Sequence, residues 1–187
     1  KKKYKINFLY NKKNQIINSV DKYIYFHLKQ EKFNKLGWGT SELISFFDEI
    51  LKYSQNIFFT RDIENENRNF EFYKIFNVYD FKNNKFINNN SKILLLENAE
   101  GPDLYNIIRR SHKVIAFHGM ITSFAWIEKK NVLDLYFCEI NSWEDYRKYR
   151  NSFYEFKPKY EEYDFIIPSR NLNKTLKKMS FFLKKNV

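Results

Sequence analysis

A chain of 187 residues, 43% hydrophobic and 20% aromatic, is long enough to bury one substantial core and too apolar to be disordered. Its formal charge of +11 is carried mostly by lysines spread along the sequence, without a run of six like charges or a basic helix interleaved with aromatics, so nucleic acid is not an expected partner. Cys138 is the single cysteine, which excludes a disulfide framework and a cysteine metal site, and no apolar run approaches the ~18 residues of a membrane span.

Residues 1–22 read as a leading linker segment. Tyr23-Ile24-Tyr25-Phe26-His27 is an apolar, aromatic run of strand length. Lys29 to Thr40 reads as a loop with Gly37 and Gly39. Thr40 or Ser41 is placed to cap a helix from Glu42 to Tyr53, whose Leu43, Phe46, Phe47 and Ile50 recur at helical spacing. Asn56 to Thr60 is the next strand, a helix is expected near Phe70 to Phe76, and Asn83 to Ser91 reads as an Asn-rich loop. Lys92 to Leu96 is a strand, followed by a helix from Asp103 to Arg110 with Pro102 in its first turn. Val114 to Phe117 is a strand, His118-Gly119 a turn, and Met120 to Glu128 a helix. Val132 to Tyr136 is a strand, Trp143 to Phe153 a helix, Phe165 to Ile167 a last strand before Pro168, and residues 171–187 a terminal helix.

Apolar strands alternating with helices predict an α/β fold: one doubly wound, mostly parallel, Rossmann-like sheet of about six strands with helices on both faces. Ile24, Phe58, Leu95, Ile115, Leu133 and Ile166 are expected to be buried in it. Such sheets bind ligands beyond the carboxyl ends of the strands, near the point where strand order reverses.

That rule selects the candidate residues. In Phe117-His118-Gly119-Met120-Ile121-Thr122-Ser123 a strand ends, a glycine permits a tight turn, and a helix opens with hydroxyl residues near its N-terminus. Free N–H groups and the helix dipole suit a phosphate there. His118, Gly119, Met120, Thr122 and Ser123 are therefore candidate substrate-binding residues. Lys29 after the first strand and Arg61 after the second can pair with phosphate. Thr40 and Thr60 offer hydroxyls, and Glu97 can accept from ribose or base. His112 reads as a surface residue. Asp134 and Glu139 flank Cys138 without a second Cys or His at metal-ligand spacing, so no metal and no cofactor is expected. A Walker loop, a G-x-G-x-x-G and a G-x-S-x-G are all missing, which lowers P-loop kinases, dinucleotide dehydrogenases and α/β-hydrolases.

The order of elements resembles the C-terminal, donor-binding half of a GT-B glycosyltransferase, especially the heptosyltransferase-like group. Lys29 and Lys35-Leu36-Gly37-Trp38-Gly39-Thr40 match its first strand, basic loop and Trp-containing approach to a helix. Ile57-Phe58-Phe59-Thr60-Arg61, Asp103 to Ile108, and Val114 to Ala125 follow in the same sequence of elements. The likeness covers about Tyr23 to Lys185. The turn at His118 lacks the Asp-Thr-Gly…His signature of the heptosyltransferases.

The resemblance implies an inverting, metal-independent glycosyltransferase of cell-surface polysaccharide or lipopolysaccharide biosynthesis. Its donor would be a nucleotide-sugar, and its glycan or lipid-linked acceptor would be held by a further N-terminal half, so the chain is expected to be one domain, 1–187, of a longer two-domain protein. The expected location is the cytoplasm, with peripheral contact at the inner face of the membrane. Catalytic residues are not assigned. Two other readings remain open: a non-catalytic α/β binding module, and a small flavodoxin-like enzyme acting on a phosphorylated substrate.

Overall fold

The computed structural model of the chain describes residues 20, 22–62, 76–83, 85–88, 92–137 and 163–185, with 85–88 as backbone only. In chain order the elements are β1 (Ile24–Leu28), α1 (Gln30–Lys35), α2 (Thr40–Leu51), β2 (Ile57–Arg61), β3 (Asn77–Asp80), β4 (Lys85–Asn88) and β5 (Ile93–Glu97). They continue with α3 (Gly101–Arg110), β6 (Lys113–Phe117), α4 (Met120–Ile127), β7 (Asn131–Leu135), β8 (Tyr163–Ile166) and α5 (Leu172–Lys184). The helices expected at Phe70–Phe76 and Trp143–Phe153 lie outside the described residues, apart from Phe76, which directly precedes β3.

The strands form one eight-stranded sheet in the order β4-β3-β5-β2-β1-β6-β7-β8. Every neighbouring pair is parallel except β3 and β4, which pair antiparallel at the edge. The sheet is thus Rossmann-like and doubly wound, larger than the expected six strands. Ile24, Phe58, Leu95, Ile115, Leu133 and Ile166 are all buried in it.

Period-two alternation divides each strand between two cores. On one face, Phe26, Phe59, Ile115 and Leu133 pack against Phe46, Phe47 and Ile50 of α2 and Met179 and Leu183 of α5. Phe26 has Phe46, Phe47 and Phe59 around it at centroid distances of 5.7–5.9 Å, two of the pairs stacked and the Phe47 pair edge-on. On the other face, Tyr25, Phe58, Val114 and Val132 pack against Ile107 and Ile108 of α3 and Ile121 and Ala125 of α4. No described helix is long and apolar enough to cross a membrane.

The stretch from Lys29 to Thr40 is not simply a loop. A two-turn helix, α1, opens it, and only Phe33 of that helix is buried, which is too little apolar signal for periodicity to register. Gly37, at φ 76°, stops α1: its N–H donates to Asn34 O at 2.8 Å while the Trp38 N–H donates to Phe33 O at 3.3 Å. The Trp38 and Phe33 rings then meet edge-on at 5.3 Å, completing a Schellman motif with its apolar contact. The Asn-rich stretch likewise contains β4. Asp80 turns the chain into it by accepting from the Lys82 N–H at 2.9 Å and from Asn83 Nδ2 at 2.5 Å. Neither Thr40 nor Ser41 caps α2. Gly39 is the N-cap, and its N–H donates to the Glu42 carboxylate at 2.7 Å. Asn171 caps α5 by accepting from the Lys174 N–H at 3.3 Å.

Lys113, 2% exposed at the start of β6, donates to the Leu183 and Lys185 carbonyls at 2.6 Å each. A buried cation thereby satisfies the C-terminal carbonyls of α5, where the helix dipole favours it. Lys113→Met removes those donors. It should destabilise the protein by about 1–2 kcal/mol, a fall of roughly 2–8 °C in Tm by scanning calorimetry.

Candidate ligand-binding site

β1 lies between β2 and β6. The chain moves from β1 to β2, lays down β3 to β5 on that side, and only then returns to place β6 on the other side of β1. Strand order therefore reverses between β1 and β6, and the segments leaving their carboxyl ends diverge around a crevice.

At that point β6 ends at Phe117 and α4 begins at Met120. Gly119 joins them at φ 155° and ψ −151°, a backbone region that side chains rarely adopt. Lys29 Nζ, from the end of β1, donates to the His118 carbonyl at 2.8 Å. A Cβ added to Gly119 would stand 2.5 Å from that Nζ, so the glycine also makes room for the lysine. Lys29 keeps two further donors for an incoming anion, and the first turn of α4 presents backbone N–H groups beside it.

His118, half-exposed, has its ring Nδ1 2.7 Å from Oδ2 of Asp134 on β7. The register Ala116↔Asp134 puts His118, two residues past Ala116, on the same face and diagonally across from Asp134. Asp134 is fully buried and also accepts from the Tyr163 hydroxyl at 2.7 Å. The His118 ring meets Tyr136 edge-on at 4.8 Å. Thr122 is buried and committed to the turn: its hydroxyl donates to the Gly119 carbonyl at 2.8 Å and accepts from the Gly119 N–H at 3.1 Å. Ser123 donates to the same carbonyl at 3.2 Å. Met120 is exposed at the start of α4, and Thr40 is exposed at the start of α2.

A cavity of about 250 Å³ opens at the carboxyl ends of β1, β2 and β5. His27, Thr60, Arg61, Asp62, Glu97 and Asn98 form its polar wall, and Leu104 of α3 lies against them. The β2–β5 register sets Phe59 opposite Leu95, and continuing it brings Arg61 opposite Glu97. They pair at 3.1 Å, both largely buried, so each is neutralised by the other. Sequence alone suggests separate roles for them, Arg61 on phosphate and Glu97 on a sugar or base.

Thr60 Oγ1 lies 2.6 Å from the Tyr25 hydroxyl and 2.8 Å from His27 Nδ1, while His27 Nε2 lies 3.0 Å from Asp62 Oδ1. The carboxylate can only accept, which orders the chain: Tyr25 O–H to Thr60, Thr60 O–H to His27 Nδ1, and His27 Nε2–H to Asp62. Burial pushes the Tyr25 phenol well above its ordinary range and keeps it a donor. The hydrogen bond from His27 holds Asp62 below the usual carboxylate range against the opposing effect of burial, and the charge of Lys29 adds to the lowering. Lys29 thus reaches both parts of the site, one by a hydrogen bond and the other through its charge. Among the described residues, no group of three or more His, Cys, Asp or Glu is placed to hold a metal ion.

The structure unites Lys29, His118 and Gly119 at the crevice, and Thr60, Arg61 and Glu97 in the cavity. His27, Asp62, Asn98, Asp134 and Tyr163 are additions that sequence reasoning did not select. Asp134 left one signal, a lone charge within the apolar run Val132-Leu133-Asp134-Leu135.

No protein-family model matches the chain, and no curated protein matches it. Solved structures do. UDP-GlcNAc 2-epimerase from Methanocaldococcus jannaschii, in complex with UDP-GlcNAc and UDP, superposes over 94% of the chain with a TM-score of 0.58 and 19% identity. A Listeria monocytogenes protein described as a UDP-N-acetylglucosamine 2-epimerase superposes over 97% with a TM-score of 0.53 and 13% identity. The chain spans about two fifths of the length of either, 43% and 41%. The class is therefore that of a Rossmann-like α/β fold, shared with these UDP-GlcNAc 2-epimerase structures.

The low-lying Asp62 carboxyl fixes the sign of a pH effect. A depressed folded-state pKa gives stabilisation that is present above the ordinary Asp range, about 3.9, and is lost as pH falls through the folded value. Because Asp62 is partly exposed, solvent screening limits the effect to a few tenths of a kcal/mol. Urea melts at pH 6 and pH 3 should show that His27→Phe, which has no N–H donor, removes this part of the acid sensitivity.

Proposed function

We propose that the chain is the nucleotide-sugar-binding half of a GT-B enzyme, with residues 1–187 as one domain. The single observation that carries this is the meeting of Lys29, His118, Gly119 and the N-terminus of α4 where strand order reverses, next to a polar cavity. That corner offers a cation, backbone donors and close approach to a glycine backbone, which together suit a diphosphate. The adjoining cavity, with Asn98, Thr60 and Leu104, suits a more varied polar group attached to it. The fold shared with a structure holding UDP-GlcNAc and UDP supports the same ligand class.

The finer reading is a glycosyltransferase, inverting and metal-independent, in cell-surface polysaccharide or lipopolysaccharide assembly. A glycan or lipid-linked acceptor would then be bound by a companion half, at the cytoplasmic face of the membrane. A UDP-sugar epimerase is the second reading, favoured by the structural neighbours.

UDP and UDP-GlcNAc titrated calorimetrically into the chain should bind, with GDP, CDP and ADP as comparators. Lys29→Met should weaken UDP about 10- to 100-fold, the worth of a hydrogen bond to a charged group, and leave Tm nearly unchanged because Lys29 is exposed where it bonds. Gly119→Val should lower both affinity and Tm, since it strains the turn by about 1–3 kcal/mol and displaces Lys29. No heat from any of these nucleotides at millimolar concentration would sink the proposal.

A further inference from the structure

Asp134 is costly to keep where it is. It sits at 0% exposure between β6 and β8; among the described residues its Oδ1 atom has no partner, while Oδ2 takes the donors of His118 and Tyr163. A carboxylate placed only for stability would have both oxygens satisfied or would be replaced by an apolar residue. What the arrangement does accomplish is to fix His118. A buried carboxylate accepts, so Nδ1 of His118 carries a proton, and in the neutral ring the lone pair is on Nε2. Nε2 has no hydrogen-bond partner among the described residues, and the ring is half-exposed at the crevice. The other groups facing the ring are Tyr136, edge-on, and Tyr163, acting through Asp134; Lys29 reaches the backbone carbonyl of the same residue.

We propose that Asp134 and Tyr163 are positioning residues that hold His118 as the proton carrier of the site, and that Nε2 takes up a proton when a phosphate-bearing ligand binds. The proposal rests on the nucleotide-sugar reading for the identity of that ligand. The step is simple in its balance. Solvent gives one proton to Nε2, the ring becomes imidazolium, and no bond of the ligand changes. The new charge then lies between the buried Asp134 carboxylate and the ligand phosphate, both of which stabilise it.

The first test is ring 15N NMR on the ligand-free chain at a pH where the imidazole is neutral. His118 should be in the Nδ1–H form, and Asp134→Asn should shift it toward Nε2–H. If the unmutated chain shows Nε2–H, or if the substitution leaves the tautomer as it was, the positioning role is overturned. Should Asp134→Asn fail to fold, Tyr163→Phe keeps the carboxylate but removes one of its two donors, and the tautomer of the unmutated chain still decides.

The second test is UDP-GlcNAc calorimetry in two buffers of different ionisation enthalpy. Binding should take up part of a proton, and both Asp134→Asn and His118→Gln should abolish that uptake with about tenfold weaker binding, the double variant losing no more than either alone. Undiminished uptake in Asp134→Asn overturns the proposal. Absence of binding by both UDP-GlcNAc and pyrophosphate overturns the ligand reading together with the proton uptake, while the tautomer measurement separately decides whether Asp134 governs His118.

Discussion

Everything at the carboxyl edge of the sheet depends on β1 being hydrogen-bonded to β2 on one side and to β6 on the other, both in parallel register. Parallel neighbours end at the same edge, so the segments that follow them are forced into one another's company. Lys29, the first residue past β1, therefore lands on the His118 carbonyl just past β6, although the two are 89 residues apart in sequence. The same strand end sends His27 toward Thr60 and Asp62 of β2 and the residue after it. A shift of β1 by one residue would exchange its two faces, sending Tyr25 and His27 into the Phe-lined core and Phe26 toward the cavity. The site is thus held by backbone pairing and is not left to flexible loops.

Four polar residues at the carboxyl edge share one side of the sheet. On the α2–α5 face the described core is formed by Phe, Leu, Ile, Val and Met with one Trp. On the α3–α4 face, the rows that carry Tyr25, Phe58, Ala116 and Val132 end in His27, Thr60, His118 and Asp134. The period-two alternation makes this a single device repeated on four adjacent strands: apolar toward the amino end, hydrogen-bonding toward the carboxyl end. The Phe-packed face gives a stiff base, with Phe26 held among three other rings. Small residues on the other face, Ala116 against Ile121 and Ala125 of α4, let that helix lie close to the strands whose ends it serves.

The fold was legible because its signal is local. Continuous apolar runs and long amphipathic helices are set by composition within ten or so residues; α2 and α3 are where periodicity puts them to within two residues, and α5 starts within one residue of its expected start. The expected loops at Lys29–Thr40 and Asn83–Ser91 hide α1 and β4 because one element buries a single side chain and the other follows a turn made by Asp80, itself outside the Asn-rich stretch. At the site, residues tied to a strand end or a glycine turn could be selected from sequence, as with Lys29, Thr60, His118 and Gly119. Partnerships could not. That Arg61 meets Glu97 follows from the β2–β5 register, and that Asp134 meets His118 follows from the β6–β7 register together with the shared face two residues past Ala116. Registers are long-range facts, and a sequence without its pairings shows both acids only as isolated charges.

Two histidines, each paired with a carboxylate, stand at this edge, and their second nitrogens separate them. His27 donates from Nε2 to Asp62 and accepts at Nδ1 from Thr60, so both ring nitrogens are used inside the protein, and at 5% exposure the ring has little room to turn. Its Asp62 is partly exposed, and the arrangement reads as a brace between β1 and β2. His118 reverses every one of these features. Its carboxylate is the buried partner, its ring is the exposed one, and among the described residues only Nδ1 is engaged. A ligand that displaced the His27 contacts would have to replace two hydrogen bonds, whereas a ligand at His118 meets a nitrogen already presented to it. The direction of the hydrogen bonds, more than the residue type or its position at a strand end, therefore makes His118 the histidine able to serve a ligand and gives His27 to the fold.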